Sequence, residues 1–298
     1  MSAARDASTD AQPITRDGGS PTDAGDRPDA SPRSFRVLFD AAHLNSVGNA
    51  DWIVDMGATP APPHPDRETQ WSGGISAWAF DLHATERYSI RQLPSGEALT
   101  LGDGGPGDLE QFDVFISVEP EAPFTAQERV ALGRFAERGG GILLVADHSG
   151  AQRCTACTEA WRVINTLLSA APLDGFGVRC DGNTIGQDGS FGSSTSSAAA
   201  IDSGPFGVAS RLKFHSGTSV STTGRNASAV VVVRSRQGGM LVSSSLAAGG
   251  RLVVLGDSSS VDDGTCSGCD ARLYDGWGEV DNAVFMLNAT AWLARDGS

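Results

Sequence analysis

The sequence is poor in lysine, with Lys213 the only one against 21 arginines, and it has no long apolar run. No stretch approaches the roughly 18 to 20 consecutive apolar residues that would span a bilayer as a helix. Lys and Arg together number 22 against 36 Asp and Glu, a net charge of −14. A surface of that sign repels nucleic-acid phosphates, so DNA and RNA are excluded as expected partners, whereas cations are not. Three motifs are also missing: a Walker loop, a glycine fingerprint for dinucleotides, and the Gly-x-Ser-x-Gly elbow of a serine hydrolase.

Hydrophobic residues make up 40% of the chain, enough for a substantial core. Apart from alanine they are almost missing from residues 1–34, a stretch of Asp, Ala, Ser, Pro, Gly and Thr with too little to bury to offset the entropy of ordering it. A disordered N-terminal tail is expected there, followed by one domain over 35–298. The tail has the composition of the spacer that follows an export signal, which points to the periplasm or cell surface. It contains no cleavage site, so a cytoplasmic protein is the alternative.

Apolar runs at Ser34–Asp40, Phe112–Val118, Ile142–Ala146 and Arg251–Leu255 read as buried strands, and the fully apolar Ile142–Ala146 has the continuous character of one covered on both faces. Tyr88–Leu93, Val230–Arg234 and Met240–Ser244 read as further strands, the last two as a hairpin around Gln237-Gly238-Gly239. Helical spacing marks Gly74–Glu86, Thr158–Ala170 and Asn282–Arg295. The clearest helix follows Thr125, with Glu128 at capping-box spacing. Its apolar face is expected from Val130, Leu132, Phe135 and Ala136, and its stop at Gly139-Gly140-Gly141. Residues 181–228 are Ser- and Gly-rich and read as an insertion. Strand–helix–strand units with short links predict a flavodoxin-like or Rossmann-like three-layer α/β sandwich with a mostly parallel sheet.

In such sheets ligands bind beyond the carboxyl ends of the strands, at a switch point. The residues found there are Asp40, Glu119, Asp147-His148 and Asp257-Ser258-Ser259, and nearby loops add His43, Asn49, Asp51 and Arg153. Several carboxylates cannot crowd together uncompensated, so a proton or a divalent cation is expected. The working assignment has Asp40, Asp147, His148 and Asp257 as metal ligands. Glu119, Asp51 and His148 are the acid–base groups. Asn49, His43, Arg153, Ser258 and Ser259 meet the ligand, a small molecule or glycan. The plain alternative is that each acid caps its own turn. A Ser258 or Ser259 nucleophile with His148 as base is a further option. Trp277 is read as core or as the lining of the cleft mouth.

Five cysteines stand as Cys154-x-x-Cys157, Cys180 and Cys266-x-x-Cys269. Disulfides among the four CxxC residues, a four-thiolate zinc site and unpaired thiols are all open; in each case Cys180 is the odd one out. The two pairs are more than 100 residues apart, unlike a compact zinc ribbon with its ~15 to 20 residue spacing.

The segment Phe124–Gly150 (FTAQERVALGRFAERGGGILLVADHSG) resembles class I glutamine-amidotransferase-like domains of the ThuA-like branch. The closing Gly250–Ser259 and Asn288–Ala294 are similar to the gliding-motility and intraflagellar-transport branch. Over 35–295 the chain also resembles a set of uncharacterised bacterial proteins that share Gly48-Asn49-Ala50-Asp51-Trp52, Asp147-His148 and Gly256-Asp257-Ser258-Ser259. The resemblance implies the flavodoxin-like fold. Amidotransferases carry a cysteine at the elbow, where this chain has Ala146-Asp147-His148-Ser149-Gly150, so glutamine hydrolysis is not implied. A cation-assisted hydrolase is the leading expectation, a non-catalytic ligand-binding or scaffolding domain the other.

Overall fold

The computed structural model describes residues 34–185, 189–192, 199–265 and 274–297. The expected tail (except Ser34) and the Cys266/Cys269 pair lie outside these residues. The chain builds one large sheet from β1 (Phe35–Asp40), β2 (Tyr88–Leu93), β3 (Val114–Val118), β4 (Gly141–Val145), β5 (Val178–Cys180), β6 (Val220–Thr222), β7 (Val230–Ser235), β8 (Gly238–Ser245) and β9 (Arg251–Leu255). Their order is β2-β1-β3-β4-β9-β8-β6-β5, with β7 also paired to β8. The first five are parallel, and β9 to β5 continue antiparallel. The parallel half therefore has the doubly wound order of flavodoxin, and the winding reverses between β1 and β3.

The four longer helices are α1 (Ser76–His83), α2 (Ala126–Glu137), α3 (Ala160–Leu168) and α4 (Asn282–Ala294). Alternation along the strands sends Val37 and Phe39 to one face, where Trp78 and Leu82 of α1 and Phe285 and Leu293 of α4 pack. Leu38, Phe115 and Leu144 face the other side, against Leu132 and Phe135 of α2 and Ile164 and Leu167 of α3. The result is the expected three-layer sandwich.

Two differences from the sequence reading have local causes. Val130 is half exposed; the inward face of α2 is Ala131, Leu132, Gly133, Phe135 and Ala136, because Gly133 lies against Pro172. The strands β5 and β6 are only three residues long and gave no periodic signal; Val220–Thr222 joins the main sheet from within the Ser/Gly-rich stretch.

The triple glycine is required three times over. Gly139 takes φ +92° and its N–H donates to Ala136 O, while Gly140 N–H donates to Phe135 O, closing α2 with a Schellman motif. A Cβ on Gly140 would meet the Phe135 ring, and one on Gly141 would come within 2.8 Å of the Leu293 carbonyl oxygen in α4. Gly141→Ala is expected to prise α4 from β4 and cost about 1–3 kcal/mol, the usual range for overpacking. Chemical denaturation would measure it, and an unchanged midpoint would contradict the close helix–strand approach.

Candidate functional site at the switch point

Register decides which of the polar strand ends meet. Asp40 lies one residue beyond the Phe39–Ile116 pair and so beside Ser117, on the face that carries Leu38. Asp147 and Asp257 each lie two residues beyond the Val145–Leu255 pair, in line with residues of the opposite face. Glu119 follows β3 directly with φ 43°, an unusual backbone for a residue with a side chain, and its N–H donates to Val145 O (2.8 Å). The expected single constellation is therefore two neighbouring clusters.

The first cluster is Asp40, His43 and Glu128. His43 Nδ1 lies 3.0 Å from both Asp40 oxygens and its Nε2 3.2 Å from Glu128 Oε1. The Phe124 ring covers it at 4.0 Å between centroids. Ser117 Oγ donates to Asp40 Oδ2 (2.6 Å), and Glu128 completes the capping box by accepting from Thr125 N (2.8 Å). Burial alone would depress the imidazole, but the two carboxylates reverse this and hold His43 at about 10. Burial would raise Glu128, yet its bonds from His43 and Thr125 bring it down to about 2. This is a charged, closed triad with its donors and acceptors used internally.

The second cluster is centred on Arg153. Its Nε donates to Glu119 Oε1 (2.9 Å), and its Nη2 donates to Glu119 Oε2 and Asp147 Oδ2 (3.2 Å each). Nη1 reaches the exposed Asn49 Oδ1 at 3.4 Å. Ser258 Oγ donates to Asp147 Oδ2 (3.4 Å), and Asp147 Oδ1 accepts from His148 N (2.6 Å). Asp257 accepts from Ser259 N (3.0 Å) and from His215 N (2.5 Å). Asp257 is 0% exposed, Glu119 1% and Asp147 4%. Burial, together with the charges of Glu119 and Asp257, drives Asp147 well above the ordinary carboxylate range; burial raises Asp257 as well. The one guanidinium of Arg153 bonds two of these carboxylates, Glu119 and Asp147, and the raised proton affinity of Asp147 and Asp257 offsets part of the remaining negative charge.

This geometry revises the metal assignment. Among the described residues, the one group of acidic, imidazole or thiol side chains with ligand atoms all within 4.8 Å is Glu121, Cys154 and Cys157. Asp40, Asp147, His148 and Asp257 do not form such a group. Asp40 points to the α2 face and is engaged by His43. His148 uses its backbone on Asp147 and turns its Nδ1 to Ser149 O (2.8 Å). Arg153 supplies the positive charge expected of an ion. The Ser258 hydroxyl is directed at Asp147, so no pairing with His148 is made, and Ser259 serves through its backbone. Asp51 is buried in the small Ser46–Val47/Ala50–Asp51 hairpin, its carbonyl accepting from Gly74 N (2.7 Å). Of the expected ligand-facing groups, exposed Asn49 and partly exposed Arg153 reach the rim, and half-buried His148, expected as a metal ligand and acid–base group, joins them there.

Several participants escaped the sequence reading. Glu128 was visible only as a helix cap. Glu121 accepts Arg153 N (2.7 and 3.0 Å), and burial, with the nearby Glu119 charge, pushes it up to about 7 against the opposing bond from Arg153. Lys213 Nζ donates to Glu279 Oε1 (2.6 Å), and His215, stacked on Tyr274 at 4.4 Å, bonds the other Glu279 oxygen through Nε2. A lone lysine two residues from a histidine was the available signal. Asp262 and Asp263 do form turns, accepting from Gly264 N and Thr265 N (2.8 Å each), and Asp263 also accepts from Ala77 N (2.9 Å) at the start of α1. Trp277 is core, stacked on Trp78.

Cys154 and Cys157 are joined as a disulfide, while Cys180 is an unbonded, buried thiol that burial pushes far up. Cys154 and Cys157 are therefore not half of a four-thiolate zinc site in this state. Among the described residues no helix is long and apolar enough to cross a membrane.

No protein-family model matches the chain, and no curated protein matches it. Solved structures do. The mmIFT52 N-terminal domain is 18% identical with a TM-score of 0.54, over 87% of this chain and 96% of that one. Cytoplasmic protein STM3548 from Salmonella typhimurium is 11% identical with a TM-score of 0.52, over 86% and 98%. A ThuA-like protein from Parabacteroides merdae is 9% identical with a TM-score of 0.49, over 89% and 91%. At these identities the likeness is one of fold: the chain shares the α/β architecture of the mmIFT52 N-terminal domain and of STM3548.

Proposed function

We propose that this chain is a non-glutaminolytic, amidotransferase-like domain that binds a polar small molecule or glycan at the switch-point edge. One observation carries the reading. Arg153, Asn49 and His148 reach the rim, and they stand on carboxylates that are sealed from solvent and saturated by their own chain. Groups fixed in this way present donors and acceptors at little ordering cost, which suits recognition. The same saturation argues against the carboxylates as a ready-made cation cage. The lack of a cysteine at the elbow supports the non-glutaminolytic part of the reading, as do the bonded state of Cys154 and Cys157 and the depth of Cys180. Export is part of the proposal, because disulfides persist in oxidising compartments.

A ligand from a panel of monosaccharides, oligosaccharides and polar metabolites is expected to raise the melting temperature through binding linkage. Asn49→Ala and His148→Ala, both away from the core, should abolish the rise without changing the ligand-free melting temperature. A ligand whose effect survives both substitutions binds elsewhere, and the reading fails.

One observation favours a second reading, hydrolysis. Burial raises the proton affinity of both Asp147 and Asp257 beside half-buried His148, as a general acid and base would need. A divalent cation displacing a proton held there would supply the cation assistance. Turnover of chromogenic esters or glycosides that is lost in Asp147→Asn would move the balance to this reading.

A further inference from the structure

The same sheet edge holds a third cluster that the ligand reading does not use. Glu121 is buried and fixed by its main chain: its N–H donates to His43 O (2.8 Å), and its carbonyl accepts from Thr158 N (2.9 Å). The second bond ties it to the far end of the 153–158 loop, whose turn is closed by Cys157 N–H on Cys154 O (3.1 Å). At the near end, both carboxylate oxygens accept from Arg153 N. Loop and carboxylate are thus held together at two points. A Glu121 oxygen and the sulfurs of Cys154 and Cys157 all lie within 4.8 Å of one another.

We propose that, once the Cys154–Cys157 disulfide is reduced, Cys154, Cys157 and Glu121 form a site for a thiolate-seeking divalent cation of the zinc type, closed to that ion in the oxidised protein. This goes beyond the ligand reading and does not depend on it.

The chemistry balances. With a water-soluble phosphine as reductant, the Sγ–Sγ bond breaks, phosphorus takes the oxygen of one water to become a phosphine oxide, and each sulfur takes one of its hydrogens. The cation then releases both thiol protons to solvent and binds two thiolates and one carboxylate oxygen. Two sulfurs from a Cys-x-x-Cys turn are half of a common zinc ligand set, and a carboxylate is an accepted third ligand. The fourth tetrahedral position is left to water. Bonded to each other, the sulfurs carry no thiolate charge and are poor ligands. Glu121 keeps lone pairs beyond those that accept Arg153 N, so it need not give up that bond.

The test uses the whole chain carrying Cys266→Ser and Cys269→Ser, which removes the second Cys-x-x-Cys. The protein is reduced with the phosphine, freed of it without air, and titrated with Co²⁺ while thiolate-to-cobalt absorption is followed. One equivalent should bind to the reduced protein, none to the oxidised protein, and Zn²⁺ should displace it. Further Cys157→Ser should abolish the band. Glu121→Gln, whose amide oxygen can still accept Arg153 N, should weaken Co²⁺ by at least about tenfold. Absence of a band after complete reduction overturns the proposal, as does a band that survives Cys154→Ser/Cys157→Ser. Undiminished affinity in Glu121→Gln, or loss of the circular dichroism of the folded chain on reduction, overturns it too.

Discussion

Replacing His43 by alanine is expected to cost about 3–5 kcal/mol, the loss typical of removing one partner from a buried ion pair. The imidazolium is 4% exposed, and both its nitrogens are taken by carboxylates. Without it, Asp40 and Glu128 keep their burial and lose their shared positive charge. The Phe124 ring also loses the group it covers. The pH dependence separates this from an ordinary cavity. His43 titrates near 6.5 in an unfolded chain and about 10 in the folded one. Its contribution is therefore complete below about 6.5 and fades as pH rises towards about 10. Glu128 works in the opposite sense: held at about 2 against an ordinary 4.5, it stabilises above about 4.5 and loses that contribution as pH falls towards about 2. His43→Ala should flatten the alkaline limb and shrink the acid one, because His43 is a main reason that Glu128 is depressed. Urea denaturation across the pH range would read both limbs. A variant curve running parallel to the wild type would show that the triad carries no such charge.

The sequence made the fold legible wherever a strand is buried on both faces. Arg251–Leu255 is found at its expected bounds, the first strand starts one residue inside the expected Ser34–Asp40, and α2 begins at its Thr125–Glu128 box and ends at its glycines, because those signals are local. On the antiparallel flank the hairpin of Val230–Ser235 and Gly238–Ser245 was legible, but its two outer strands were not. Val178–Cys180 and Val220–Thr222 are too short to show a period of two, and only their neighbours in the sheet make them strands. At the site, strand-end position identified Asp40, Glu119, Asp147 and Asp257 as the residues of the switch-point edge. What it does not encode is the face. A shift of one residue in register sends Asp40 to the α2 side and Asp257 to the other. That step separates two clusters that a list of strand ends presents as one. The ion pairing was hidden for a different reason. Arg153 is legible as a loop residue near the site, but its bonds to Glu119 and Asp147, like that of Glu128 with His43, are set by packing. Glu121 stands three residues past the end of β3, beyond Pro120, where strand-end position alone does not single it out.

Arg153→Met should destabilise the chain by about 3–5 kcal/mol at neutral pH, again through uncompensated buried charge. The substitution keeps most of the side chain's length and leaves the backbone N–H that Glu121 accepts, so the 153–158 loop retains its anchor. What goes is, among the described residues, the guanidinium bonded to Glu119 and Asp147, and sealed Asp257 lies level with Asp147 at the adjoining strand end. The remaining carboxylates can then fold together only by holding more protons than they do with Arg153 present. Groups whose folded-state affinity for protons is raised lose stability as pH rises from the unfolded carboxylate range to the folded one. The variant's deficit should therefore be small in acid and grow steadily towards neutrality, opposite in sign to the acid limb set by Glu128. A second substitution, Glu119→Gln, removes one of the competing charges and should restore part of the loss. The double variant then lies above the sum of the single ones by a coupling of about 0.5–3 kcal/mol. Equilibrium denaturation of the four proteins at several pH values completes the cycle. A deficit independent of pH, with losses that simply add, would mean that Arg153 acts by packing alone and that the edge is not short of positive charge.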